Sequence, residues 1–299
     1  FRLFRKTEKT AILVENTTNQ QVTAVMIIIM SKDMINAHIV QHLSQAQRGF
    51  ICRVELWEVV NAIFYKLKTG IQWHLLPVKS LISSSSYSWN AVYYHFRKWC
   101  KDGSWRKAWL AILASYKSLL DLSTSQLDGS HSPAKRGGEA VAYQGRKKCK
   151  TTNILLLTDR NGLTVACAKP VAGNHNDLYQ IEIQIKEIVE QLSQARIPVD
   201  GLFLNADSGF DSKKLRQILE KHGIMLNAPL NKRNAHSLDA DFMLDEKMYK
   251  EKFVVERTNA WFDSFRTLLI RQDTTIDSWW TWHFIACSFW FLRHQIKKV

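Results

Sequence analysis

Near residue 120 the hydrophobic period of this chain changes, and no single-class fold survives that change. Upstream, apolar residues recur at helical spacing. In RVELWEVVNAIFYKLK (53–68), Leu56, Val59, Val60, Ile63, Phe64 and Leu67 fall on one face, the pattern of a helix that buries a stripe. Lys68-Thr69-Gly70 ends it, with Gly70 suited to a left-handed cap. Val92, Tyr93, Phe96, Trp99 and Cys100 make a second such face, stopped near Asp102-Gly103, and a third helix is expected over 105–120. Downstream, the pattern is that of strands. NILLLT (153–158) is a continuous apolar run, DRNG follows, and LTVACAKPV (163–171) returns. The Asn-Gly pair is a hairpin signal.

Gln126-Leu127-Asp128 ends a short extended run that opens this second half. Residues 177–194 carry Ile181, Ile185, Ile188, Val189 and Leu192 on one helical face. GLFLNAD (201–207) reads as a buried strand ending in a carboxylate. A helix over 212–222, a strand over 224–230 and a polar stretch over 231–247 follow, then helices over 253–271 and 277–297. The order is strand, hairpin pair, helix, strand, helix, strand, helix, helix. It predicts an α/β mixed-sheet domain and is the order of the ribonuclease-H-like fold. The chain of 299 residues is long enough for a small all-helical domain at 31–120 and a mixed-sheet domain at 121–299. Residues 1–30 show no clear period and are set apart as a tail or read-through; the first Met is Met26.

Lys and Arg number 41 against 27 Asp and Glu, a net charge of +14. That excess favours a polyanion, either nucleic acid or an anionic membrane surface. The apolar run at 22–30 is too short to span a bilayer, and the Trp- and Phe-rich segment at 279–292 is interrupted by His283 and Ser288. A buried terminal helix is expected there, and no membrane. Five cysteines, an odd number without a CxxC pair, make neither a disulfide framework nor a zinc knuckle. Reduced thiols in a cytoplasmic protein are expected, without a secretory leader.

Three acidic residues stand where this fold can gather them. Asp128 lies on the first strand, Asp207 just past a later one, and Glu256 on a following helix. Neighbouring strand ends can bring the two aspartates together, and the helix can lay Glu256 across them. Hard carboxylate oxygens suit Mg2+ or Mn2+. Two such ions about 3.5–4 Å apart would clamp the attacking and leaving oxygens of a phosphodiester displacement. Coincidence is the competing reading, because strand-end aspartates are often only turn formers and Glu256 can be a solvated helix residue. Asp121, Asp159, Asp177, Asp211 and Glu251 are rivals, of which Asp159 and Asp211 read as turn and cap residues.

At these residues the sequence resembles the DDE transposases of bacterial insertion sequences, in the insertion-sequence-five group of the broader insertion-sequence-four-like transposases. The resemblance spans about 54–294. AIFYKLKTGIQWHLLP and VYYHFRKWCKDGSW carry it in the helical half. LDGSH around Asp128, YQGRKKCKTTNILLLTDRNGL, AGNHNDL, LNADSGFDS around Asp207 and VVERTNAWFDSFRTL around Glu256 carry it in the other. It implies that Asp128, Asp207 and Glu256 form a catalytic, metal-binding triad using two Mg2+ or Mn2+ ions. It also implies that the protein cuts and joins strands at the ends of an insertion sequence. The implied partners are double-stranded DNA, as element ends and as target, and a second copy of the chain; no small-molecule substrate is expected. The implied place is the bacterial cytoplasm, at the nucleoid. Where relatives carry Tyr, Arg, Glu and Lys around the third carboxylate, this chain has Tyr249, Lys252, Glu256 and Asp263. Lys252 lacks the planar fork of arginine, and Asp263 would repel DNA, for which Arg257 or Arg266 can compensate.

Lys135, Arg136, Arg146, Lys147, Lys148, Lys150 and Arg160 crowd the segment after Asp128, with Gly137, Gly138 and Gly145 among them. They are expected on DNA phosphates, together with Lys252 and Arg257; a solvated loop is the alternative. In the helical half, Arg97, Lys98, Lys101, Arg106 and Lys107 are expected to form a basic edge. The helices at 53–68 and 88–101 read either as a helix-turn-helix-like reader of DNA or as a dimerisation surface. His131 and His175 are expected beside the site or in turns, not as zinc ligands. Trp261 is expected in the core, with stacking on a flipped base as the alternative, and the cluster at 279–290 in the core or at a protomer interface. Two other functions remain open: a DNA nuclease of the same fold that does not join strands, and a decayed copy that only binds DNA.

Overall fold

The computed structural model describes residues 26–45, 52–231 and 244–294. The tail expected at 1–30 falls mostly outside the described residues, as do most of the polar stretch at 231–247 and the last residues of the final helix.

The first half is helical: α1 (Lys32–His38), α2 (Leu56–Thr69), α3 (Val78–Leu81), α4 (Trp89–Lys101) and α5 (Ser104–Ser115). α2 stops where expected. Gly70 adopts φ +66° and donates its N–H to the Lys66 carbonyl at 2.9 Å. α2 buries more than a stripe, because Glu58, Asn61 and Lys66 are buried along with its apolar residues. Each polar group is satisfied, as a buried group must be. Glu58 accepts the Ser83 N–H at 3.0 Å, Asn61 donates to the Ile27 carbonyl at 2.7 Å, and the Lys66 ammonium lies 5.8 and 5.7 Å from the Trp73 and Trp282 rings. A helix covered this fully leaves only part of its surface, at Leu56, Tyr65, Lys68 and Thr69, open. The basic edge is also partly spent inside the protein. Arg97 donates to the Thr275 and Ser278 hydroxyls at 2.8 and 2.6 Å, Lys98 to the Ser44 carbonyl at 3.1 Å, and Arg106 lies over the Trp280 ring. Lys101 and Lys107 stay exposed.

The second half begins with β1 (Ser125–Pro133), then β2 (Ala142–Gln144), β3 (Cys149–Asp159), β4 (Thr164–Cys167) and β5 (Val171–Ala172). β3 runs antiparallel to β1 along all nine residues, from Ser125 opposite Asp159 to Pro133 opposite Thr151. That long ladder carries the first strand past Asp128, so Asp128 sits in mid-strand and not at a strand end. The hairpin closes as its sequence predicts. Gly162 takes φ +81°, and the Asp159 carboxylate accepts the N–H groups of Asp121, Asn161 and Leu163 at 3.0, 2.9 and 2.7 Å.

Helix α6 (Ile181–Gln194), strand β6 (Phe203–Ala206), helix α7 (Lys213–Glu220) and strand β7 (Met225–Asn227) follow. β6 lies parallel to β1 and β7 parallel to β6. The sheet order is β2-β3-β1-β6-β7, with β4 and β5 also paired to β3. The spatial order β4-β3-β1-β6-β7, with β3 antiparallel to the central strand, makes this an α/β fold of the ribonuclease-H-like type.

Short α8 (Glu246–Tyr249) leads into α9 (Val254–Phe262), then α10 (Arg266–Leu269) and α11 (Ile276–His294). The single helix expected over 253–271 is broken. The Ser264 hydroxyl donates to the Trp261 carbonyl at 2.6 Å, and Phe265 leaves helical geometry at φ −88°, ψ 100°. Burial drives the break, since Phe265 turns inward to 2% exposure and packs on Phe289 at 5.7 Å. α11 is buried around its whole circumference, as its even hydrophobicity requires. It inserts among α2, α4 and α5, setting Phe289 against Phe64 at 5.0 Å and Trp282 against Phe96 at 4.4 Å. One apolar core therefore runs from the amino-terminal helices into the sheet.

Candidate active site

Parallel pairing of β1 with β6 builds the site. The register sets Leu127 opposite Ala206, so the next residue on each strand is an aspartate. Neighbouring strands lie about 4.8 Å apart, which makes Asp128 and Asp207 adjacent. β6 ends at Ala206, and Asp207 turns out into a short 3-10 turn, leaving its side chain half exposed. Asp128 is more deeply set. Burial raises its pKa to about 6; the carboxylates of Asp207 and Asp177 push the same way, while Lys252 and the Gly129 N–H oppose them.

α8 and α9, with the turn between them, cover this pair. The Lys252 ammonium lies 2.5 Å from Asp207 Oδ1, and its side chain is only 14% exposed. The Tyr249 hydroxyl hydrogen-bonds the same carboxylate, and burial followed by that charge raises the tyrosine pKa. Asn259 Nδ2 reaches Asp128 Oδ2 at 3.4 Å. Glu256 lies between these residues in sequence, one helical turn before Asn259, and is exposed. No described contact joins it to either aspartate. Among the described residues, no three His, Cys, Asp or Glu side chains stand together closely enough to hold a metal ion.

The donor set nevertheless fits a hard divalent cation in kind. It offers only oxygens, and a lysine ammonium now serves as counter-charge to both aspartates. The buried Asn259 Oδ1, beside Asp128, has no hydrogen-bond partner, and a bound cation or its water would satisfy it.

Other site expectations distribute as follows. Lys135, Arg136, Arg146, Lys147 and Lys148 are exposed on the arm joining β1, β2 and β3, and Lys150 is exposed at the start of β3. Lys252 is held on Asp207 and does not project to solvent. Arg257 donates to the Asn161 carbonyl at 2.6 Å. Asp263 lies in the field of Lys147, and burial raises its pKa. Arg160 pairs with Glu251 at 2.7 Å. His131 sits beside Thr151 at 3.3 Å; burial lowers its pKa, opposed by Asp177. His175 stacks on Tyr179 in the turn before α6. Trp261 stacks on Trp290 at 4.7 Å. Asn259, which reaches Asp128, is a site residue that the sequence reading does not single out. The spacing of three residues from Glu256 is the sequence signal for Asn259.

Asp128→Asn gives a direct check on this electrostatic picture. The fold raises the Asp128 pKa, so its contribution to stability is full below about pH 4 and is lost as pH rises through about 6. In metal-free buffer at pH 7.5 the variant is expected to be more stable than wild type by on the order of 2 kcal/mol. Thermal melts should show that gap closing toward pH 4.

Two families match the chain. One, described as "transposase of IS4/5 family", matches residues 33–109, and the DDE superfamily endonuclease family matches residues 127–287, more than half of the chain. No curated protein matches. Among solved structures, similarity is found to a simian T-cell lymphotropic virus intasome in complex with PP2A regulatory subunit B56 gamma. That match has 12% identity and a TM-score of 0.33, covering 59% of this chain and 50% of that one. A Mos1 transposase paired-end complex with left transposon end is 16% identical, with a TM-score of 0.28 and coverages of 83% and 81%. The catalytic domain of Mos1 mariner transposase is 13% identical, with a TM-score of 0.28 and coverages of 62% and 89%. With its sheet half and its helical half matched in turn, the chain belongs to the DDE superfamily endonucleases, as a transposase of the IS4/5 type.

Proposed function

We propose that this transposase cuts and joins DNA strands at the ends of an insertion element, using Asp128, Asp207 and Glu256. The observation that carries this reading is the β1–β6 register, which sets two aspartates side by side under a helix bearing a glutamate. Asp128 and Asp207 would supply carboxylate oxygens to two Mg2+ or Mn2+ ions, and Glu256 would complete the set. Such ions supply charge neutralisation at the attacking and leaving oxygens. Asn259 holds the Asp128 carboxylate in place, Tyr249 does the same for Asp207, and Lys252 keeps the paired charges tolerable until DNA and cations arrive. Catalysis is assigned to 121–299, and end binding or dimerisation to the helical unit at 31–120. The working form would be a homodimer on DNA in the cytoplasm, with one element end per protomer.

The exposed arm between β1 and β3 supplies phosphate contacts. Removing three of its charges together, as Arg146→Ala, Lys147→Ala and Lys148→Ala, is expected to weaken duplex binding. The slope of log affinity against log salt should also become shallower by about 2–3, at roughly 0.9 per lost contact. Fluorescence anisotropy between about 50 and 200 mM salt reads both changes.

Strand joining separates this reading from its rivals. The protein is incubated with a duplex carrying the element end, Mg2+ and a target plasmid. Joined products support the transposase. Cleavage without joining indicates a nuclease of the same fold, and end binding without either indicates a copy that has lost its chemistry.

A further inference from the structure

Among the cations that follow Asp128, two sit on a loop of their own. Lys135 and Arg136 are exposed, and among the described residues neither side chain forms an ion pair. Lys147, by contrast, donates to the His131 carbonyl at 3.0 Å. The loop, 134–140, leaves the end of β1 and turns back toward β2. With Gly137 and Gly138 at its tip it would have wide freedom by itself.

One residue closes its neck. Arg271, in the stretch between α10 and α11, donates its N–H to the Pro133 carbonyl at 2.8 Å and accepts the Lys135 N–H at 2.9 Å. Its side chain serves the other side of the neck. Nη1 reaches the Ala140 carbonyl at 3.4 Å, and Nε is fixed on the Asp273 carbonyl at 2.8 Å. The guanidinium is thus a buried strut, on a residue only 1% exposed.

The rest of the loop docks on the same stretch. The Glu139 N–H donates to the Thr274 carbonyl at 2.9 Å, and its carboxylate accepts the Ile276 N–H at 2.8 Å, at the start of α11. Gly138 takes φ +145°, and a Cβ there would collide with the Thr274 carbonyl. Glu139 is the only acid in the loop. With its carboxylate held at α11, Lys135 and Arg136 are the loop's uncommitted charges. Two cations on a held loop bind a polyanion at a lower ordering cost than two on a free one.

We propose that residues 134–140 are a preformed clasp for the DNA phosphate backbone, in which Lys135 and Arg136 make the contacts and Arg271 is the positioning residue that closes the neck. The proposal rests on the transposase reading above. Pro133 lies five residues past Asp128 on the same strand, about 17 Å along it. The clasp therefore acts on duplex affinity, away from the bond that is cut.

The test is fluorescence anisotropy of a labelled duplex with the full chain at several salt concentrations. Lys135→Ala with Arg136→Ala is expected to weaken binding and to flatten the slope of log affinity against log salt by about 2, at roughly 0.9 per contact. Arg271→Lys keeps the charge but lacks the planar fork that spans the neck. It is expected to weaken binding about fivefold or more and to speed trypsin cleavage after Lys135 and Arg136. Gly138→Ala opens the loop from the Thr274 side and should do the same, which keeps the test intact if Arg271→Lys does not fold. A purely structural residue would lower affinity in any background. A positioning residue acts through the two cations, so neither change should cost anything further once Lys135 and Arg136 are alanine. Wild-type affinity in Gly138→Ala or in the double cation variant, or additive losses on combining them, overturns the clasp and leaves the transposase reading standing. No duplex binding by the wild-type protein overturns both.

Discussion

Asp128→Asn, Asp207→Asn and Glu256→Gln are each expected to abolish strand cleavage while leaving end binding within a few-fold of wild type. Each change removes one carboxylate and preserves volume, so the fold has no reason to fail. A divalent-cation site supplies several kcal/mol of transition-state stabilisation, and each 1.36 kcal/mol is tenfold in rate. A loss on the order of 10³-fold or more follows, measured as nicked or excised product from a labelled end duplex. The three should not be equal in their side effects. Asp207→Asn also removes the partner of Lys252 at 2.5 Å and frees that ammonium, so its DNA binding should rise slightly. Glu256→Gln touches no described partner and should be silent in every assay but catalysis. A variant that cleaves at wild-type rate takes its residue out of the triad.

Trp282→Ala should have the largest effect on stability, and its signature differs. Trp282 is fully buried, stacks on Phe96 at 4.4 Å and donates its Nε1 proton to Asp273 at 3.1 Å. Truncation leaves a cavity costing about 3–5 kcal/mol. It also strips a donor from a buried carboxylate whose pKa burial already raises. Against a total of about 5–15 kcal/mol, that is a large share. Urea denaturation should show a much lower midpoint, and DNA binding and cleavage should fall together. The carboxylate variants should separate those two activities.

The period change near 120, the α2 cap at Gly70 and the Asp159–Gly162 hairpin were readable because each is set by neighbours in sequence. The proposed triad rests on its motifs, and of its three members the β1–β6 register sets only Asp128 and Asp207 side by side. What the sequence could not show is register. The long β1–β3 ladder carries β1 beyond Asp128 and sets Asn153 opposite His131, where it holds Asp177. Nothing local to AGNHNDL reveals that its aspartate will press on Gly129. The break at Phe265 was hidden for a related reason, because helical spacing continues through 253–271 and only the pull of Phe289 opens it. The basic edge misled because charge alone does not say which way a side chain faces. Arg97 and Arg106 spend their long stems and planar heads on α11.

The insertion of α11 among the amino-terminal helices bears on how such proteins can diversify. A recognition module that folds by itself can be exchanged between relatives at a linker. Here residues 56–115 owe much of their interior to a segment more than 150 positions away. Severed near 120, they would expose Phe64, Phe96 and Trp109 to water and would be expected to aggregate. If the helical unit reads element ends as proposed, new end specificity would have to arise by point changes on this frame, or by exchanges that carry both ends of the gene together.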